Sequence, residues 1–119
     1  MTIKPQSVSI WLGHFESEEA MTGYFDEDFT EDGDAIPSPF QSSFHIGYDP
    51  YKFEAAMFKE ASEISCALED ASYSEYYAED VKKSLTTLSW ANTICILFDC
   101  DPPQKKKDTH LTHILYKRI

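Results

Sequence analysis

Residues 91–101 read "ANTICILFDCD", and their reading decides the fold. From Thr93 to Phe98 the run is almost continuously apolar, with isoleucines at 94 and 96 and no polar residue at helical spacing. A short unbroken run of this kind predicts a central strand buried on both faces, because a strand with one solvated face alternates instead. Such a strand needs neighbours. "SVSIWLGHF" (residues 7–15) supplies one, with Val8, Ile10 and Leu12 pointing one way and Ser9, Trp11 and Gly13 the other. "HLTHILYKRI" (110–119) reads as a closing strand after the turn "DPPQKKKD" (101–108), and the last two strands are expected to pair as an antiparallel hairpin.

Helical patterns fill the interval between these strands. The clearest is "YDPYKFEAAMFKEASEISCALEDAS" (48–72), with Asp49 as N-cap, Pro50 in the first helical position, and Phe53, Met57, Ala61, Ile64, Leu68 and Ala71 forming one apolar face. Ser17 caps a shorter helix, with Glu18 and Glu19 in its first turn and Met21, Tyr24 and Phe25 as its buried stripe. "SYSE" (72–75) matches a capping box and predicts a further helix with the stripe Tyr77, Val81, Leu85 and Leu88. After Pro37 and Pro39, the segment Phe40–Ile46 reads as an irregular connection or a short strand. The order is β-α-(β)-α-α-β-β, an α+β fold in which a small, mostly antiparallel sheet is packed by two or three helices, with residues 1–119 as a single domain.

The hydrophobic fraction of 42% and aromatic fraction of 14% suit a folded core rather than a disordered chain. No apolar run is long enough to span a bilayer, and "MTIKPQSVSIWLG" lacks the pattern of a secretory leader, so a cytoplasmic protein with no membrane partner is expected. Cys66, Cys95 and Cys100 form no C-x-x-C pair; Cys66 and Cys95 are expected as small buried apolar residues rather than as halves of disulfides. The net charge is −11, and it is lopsided: 18 acids face Lys4, Lys52 and Lys59 up to residue 81, and seven bases face three acids after it. That field argues against nucleic acid as a partner and favours a basic protein.

"YFDEDFTEDGD" (24–34) holds six acids in eleven residues. A calcium loop starting at Asp28 would place Thr30, Asp32 and Gly33 correctly, yet its twelfth position is Pro39, which carries no ligand. Nothing in so polar a stretch would desolvate one carboxylate against another, as paired acid catalysis requires. His110 and His113 are three apart in the closing strand and are expected on opposite faces. A Cys100–His110 pair across the hairpin is conceivable, but Asp99 and Asp101 would raise the thiol pKa. No catalytic residue, metal ligand or cofactor is therefore expected. The acids Asp26, Glu27, Asp28, Glu31, Asp32 and Asp34 read instead as a docking surface, with Tyr24, Tyr73 and Tyr76 as aromatic contributors. Phe29 is expected beneath its own loop and Tyr77 in the core. A small acidic cation-responsive regulatory or interaction module is the rival reading.

Taken in order, "SIWLGHF", "YFDEDFTEDGD", "FHIGYDPYKFEA", "SYSEYYAEDV" and "ANTICILFDCD" resemble the immunity protein 22 family of bacterial polymorphic toxin systems. The resemblance covers about residues 7–101 and fades over the lysine-containing tail. It implies a non-enzymatic α+β protein that binds and neutralises a cognate toxin by stoichiometric occlusion. The charge adds that this toxin is basic, a nuclease being one candidate. Neither the resemblance nor the residues set the oligomeric state.

Overall fold

The computed structural model describes residues 4–119, which build one four-stranded antiparallel sheet between two helical layers. The strands are β1 (Ser7–Gly13), β4 (Phe53–Met57), β5 (Thr93–Phe98) and β6 (Leu111–Arg118), in the spatial order β4-β5-β1-β6. A separate two-stranded hairpin consists of β2 (Asp28–Phe29) and β3 (Ala35–Ile36). The helices are α1 (Glu18–Phe25), α2 (Pro39–Phe44), α3 (Ala61–Ala67) and α4 (Ala78–Thr87). No helix among the described residues is long and apolar enough to cross a membrane.

β5 is buried at all six positions, as its unbroken apolar run predicts. β1 is buried at all seven, so its alternation separates two cores rather than core from solvent. Val8, Ile10, Leu12, Ile94, Ile96 and Phe98 face α3 and α4, meeting Ile64, Leu68, Tyr77, Val81 and Leu85. Trp11, Cys95 and Leu97 face α1 and α2, meeting Tyr24, Phe25, Phe40 and Phe44. Each large side chain fully buried in this way contributes on the order of 1.5–3 kcal/mol. On this second side the rings pack edge to face, with Trp11 at 5.1 Å from Phe40 and 5.7 Å from Phe44.

The expected hairpin between the last two strands does not form. β1 lies between them and pairs with both, Trp11 standing opposite Cys95 on one side and His113 on the other. The extra residue of a bulge falls on β6 between the Ile10–Leu115 and Trp11–His113 pairs, which lets the neighbours Ile114 and Leu115 both pack against the first core.

The long helix expected over 48–72 is also corrected. Asp49 does cap, its Oδ1 accepting from the Tyr51 N–H at 2.9 Å, but it caps only the single 3-10 turn Pro50–Lys52. The chain then straightens into β4, because Phe53, Ala55 and Met57 serve one core while Ala56 and Phe58 serve the other, a period of two. The helix proper begins at Ala61 and keeps Ile64 and Leu68 of the predicted stripe. Cys66, expected inside, is exposed, while Cys95 is buried.

Residues 39–44, read as irregular or extended, form α2. Ser38 and Gln41 make a reciprocal capping box (3.1 and 2.8 Å), with Pro39 at the start of the helix. The box expected at "SYSE" is absent: Tyr73 takes a left-handed backbone (φ 58°), a 3-10 turn follows, and α4 starts at Ala78. Ser17 caps α1 as read.

At Gly13 the start of β6 presses directly against β1. A Cβ there would overlap the His110 carbonyl oxygen and the Leu111 side chain, whereas one at Gly23, inside α1, would meet nothing. Gly13→Ala is therefore expected to destabilise by about 2–4 kcal/mol through backbone displacement. Gly23→Ala is expected to stabilise by roughly 0.5–1 kcal/mol. Urea unfolding of the two variants checks both signs.

Candidate functional site

The acidic stretch continues directly from α1. The Asp26 N–H closes that helix on the Thr22 carbonyl, and the chain then forms the β2–β3 hairpin, pairing Asp28 with Ile36 and Phe29 with Ala35. Its turn is tied at Thr30, which accepts from the Gly33 N–H (3.0 Å) and, through Oγ1, from the Asp34 N–H (3.1 Å). Gly33 has φ 88°, a conformation glycine adopts without strain. Asp26, Glu27, Asp28, Glu31, Asp32 and Asp34 are all exposed. Among the described residues no group of three His, Cys, Asp or Glu side chains is placed to hold a metal ion.

Phe29 overturns its expectation. It is not tucked beneath the loop but 64% exposed, and Ile36 on the facing strand is 43% exposed. The hairpin thus presents apolar surface on a segment whose acids are all exposed. Both residues of each two-residue strand are exposed, so the hairpin has no buried face that could take a phenyl ring.

Tyr24, expected on this surface, belongs to the second core. Its ring packs on Phe15, Phe25 and Phe40, and its hydroxyl donates to Asp108. Asp108 also accepts from Ser43 Oγ at 2.7 Å and from the backbone N–H groups of His110 and Leu111, both at 2.8 Å. Burial raises the pKa of this carboxyl, but these donors more than offset it and hold the pKa below the usual value. Burial, and then Asp108 itself, pushes the Tyr24 hydroxyl well up. The knot joins α1, α2 and the start of β6; it is structural.

Tyr73 and Tyr76 sit across the sheet from the hairpin, partly buried against the first core. Tyr73 meets Phe98 edge to face at 5.7 Å, and the Lys4 ammonium lies 5.2 Å from the Tyr76 ring centre. The six acids and these two tyrosines therefore do not form one surface. A tyrosine that does lie near the acids is Tyr48, which stacks on Phe53 at 5.2 Å. Burial chiefly, with Cys95, Glu27 and Asp26 adding to it, pushes its hydroxyl up to about 12.

The thiol–imidazole pair is excluded by topology. Cys100 follows β5 beside Ser7, whose hydroxyl donates to its carbonyl, while His110 precedes β6 beside His14. The two sit at opposite ends of β1, roughly 20 Å apart at about 3.3 Å per residue. Burial pushes the Cys100 thiol up despite a bond from Ser9. The histidines, expected on opposite faces, both lie on the α1–α2 side: His110 stacks on Phe15 and His113 packs on Trp11, each at 4.9 Å.

A sheet held between two helical layers, with an acidic hairpin outside them, makes this a small antiparallel α+β fold. The chain belongs to the immunity protein 22 family, whose sequence profile matches residues 8–116, into β6 and beyond the point where the visible resemblance thins. The family name carries the role of an immunity protein. Comparison with curated proteins and with solved structures finds no significant match.

His113 provides a pH signature of the folded state. Burial, with Lys106 adding to it and a backbone bond opposing, lowers its pKa to about 4. Its Nε2 lies 3.2 Å from Ser9 Oγ. As pH falls below about 6.5 the unfolded chain takes up this proton first, so stability is lost between about pH 6.5 and 4, by at most about 1.4 kcal/mol per pH unit. His113→Gln is expected to flatten that part of the profile, measured as urea midpoint against pH for both proteins.

Proposed function

We propose that this immunity protein neutralises a basic toxin by binding it one to one, with the β2–β3 hairpin as the docking element. The carboxylates of Asp26, Glu27, Asp28, Glu31, Asp32 and Asp34 steer the encounter, and Phe29 supplies the apolar anchor. The observation that carries this reading is the exposed Phe29 on a hairpin whose six acids are also exposed. Aromatic anchors supply much of the affinity of an interface, while charge sets association rate and specificity. The pairing matches the phosphate-binding cleft of a nuclease, where a carboxylate row would stand in for the nucleic-acid backbone and occlude the substrate. No step in this action is catalytic: protection is stoichiometric.

The test is calorimetry of the wild type with the protein encoded immediately upstream of its gene, inactivated if it proves toxic, at low and high salt. Tight binding that weakens steeply with salt is expected. Phe29→Ala should raise Kd about tenfold or more. Asparagine at positions 26, 28, 32 and 34 together should raise it by a similar factor and reduce its salt dependence. Binding indifferent to both sets of changes would move the interface off the hairpin, and no binding at all would sink the toxin assignment.

A further inference from the structure

The four-stranded sheet ends in two unlike edges. The first half of β6 is covered, because residues 106–108 fold back on it: the His113 N–H donates to the Lys106 carbonyl at 2.6 Å, and Lys107 bridges Thr112. Its second half carries the exposed charges Lys117 and Arg118, a common guard against unwanted pairing. β4, at the other edge, has neither device. Its five residues, "FEAAM", carry one charge, and among the described residues no strand lies outside it.

The register shows which of its backbone groups are free. The Phe58 N–H donates to the Asn92 carbonyl at 2.6 Å, continuing the β4–β5 ladder in which Glu54 faces Ile96 and Ala56 faces Ile94. Because hydrogen-bonded positions alternate in an antiparallel pair, the groups of residues 54 and 56 point towards β5. Those of Phe53, Ala55 and Met57 point away, and no other hydrogen bond occupies them among the described residues. Three N–H donors and three carbonyl acceptors are thus presented in a row.

Side-chain surface flanks this row. On one face of the sheet a cleft of about 140 Å³ runs beside β4, lined by Ala56, Phe58, Ile64, Leu68 and Ile96, with Glu54 as its only charged wall. At the entrance to the strand stands Tyr51, 97% exposed. The other face joins the acidic hairpin: Phe53 packs on Phe25 at 5.2 Å, and Asp26 and Glu27 lie close enough to Tyr48, stacked on Phe53, to act on its hydroxyl. Lys52, the cation nearest in sequence, is paired with Asp99 at 3.0 Å.

We propose that β4 is a strand-addition site, and that its occupant is an extended segment of the cognate toxin carrying lysine or arginine. This inference rests on the toxin-binding reading above and names the contact that would complete it. Added antiparallel to β4, the segment bonds its backbone to Phe53, Ala55 and Met57, seats small apolar side chains in the cleft, and turns a basic side chain to Glu54. Its continuation passes Asp26 and Glu27 into the acidic field. A second copy of this chain fits poorly: two bodies of net charge −11 repel, and self-pairing about Ala55 would bring two Glu54 side chains onto one face about 7–8 Å apart.

Ala55→Pro isolates the edge, since it removes an outward N–H that takes no part in the β5 ladder, and edge strands tolerate proline at such positions. The melting temperature of this variant is expected to stay near that of the wild type, while its Kd for the upstream-encoded protein rises at least thirtyfold. Hydrogen exchange on the wild type gives a second readout that does not depend on the variant folding: toxin should slow the amides of Phe53, Ala55 and Met57. Equal binding by both proteins, or unchanged exchange at those amides, overturns the strand-addition site and leaves the immunity reading intact. Failure of the wild type to bind overturns both. A concentration-dependent dimer of the toxin-free protein, abolished by Ala55→Pro, would assign the edge to a second copy and so overturn the toxin as its occupant.

Discussion

Everything in this structure depends on the pairing of β1 with β5, two adjacent strands that are buried on both faces. Water reaches neither, so each backbone group must find its partner within the sheet, and each face must be roofed by a separate helical layer. That single requirement explains why the aromatic α1–α2 layer and the aliphatic α3–α4 layer both exist. It also explains the few polar side chains at the centre. Asn92, buried where β5 begins, donates from Nδ2 to the Phe15 carbonyl and accepts at Oδ1 from the Phe15 N–H, copying with its side-chain amide a pair of ladder bonds the strands no longer supply. Thr93 Oγ1 donates to the same Oδ1.

The charge distribution follows from this burial. The two central strands, roofed on both sides, carry no carboxylate; the acids lie on loops, on outer helix faces and, at Glu54, on the exposed edge strand. Asp108 is the instructive exception. It is drawn inward because Tyr24, Ser43 and two backbone N–H groups supply four donors to one carboxylate, enough to replace its water. The hairpin acids keep theirs. Surface ion pairs such as Lys117–Asp80 at 3.9 Å add little to stability, so the abundance of acid reads as a property of the protein's outward field rather than of its fold.

What was legible in the sequence was what local chemistry alone decides. The β5 run, the β1 alternation, the Ser17 cap and the α4 stripe each require only near neighbours. What was not legible was decided at long range. Residues 53–57 satisfy a helical stripe and a two-sided strand equally well, and only the presence of β5 beside them selects the strand. The insertion of β1 between β5 and β6 leaves no mark in either partner's residues. The α2 helix was readable in principle, since Ser38, Pro39 and Gln41 form a complete start signal that the two prolines obscured. For the site, the density of acids was evident, but the exposure of Phe29 and the withdrawal of Tyr24 into the core depend on volumes that only the assembled layers define.

The place of β1 has a consequence for how the molecule comes into being. Its ladder partners are residues 93–98 and 111–118, so the first strand made waits for nearly the whole chain before it has anything to pair with. Loop closure over such a span must be met before the sheet returns any free energy, which places this topology among the slower-folding small domains. During synthesis the central apolar strand has no shelter, and the two helical layers have no common floor. A chain cut short before β6 lacks the edge that holds β1, so the sheet and the two layers that roof it come into existence together and late, as one cooperative event.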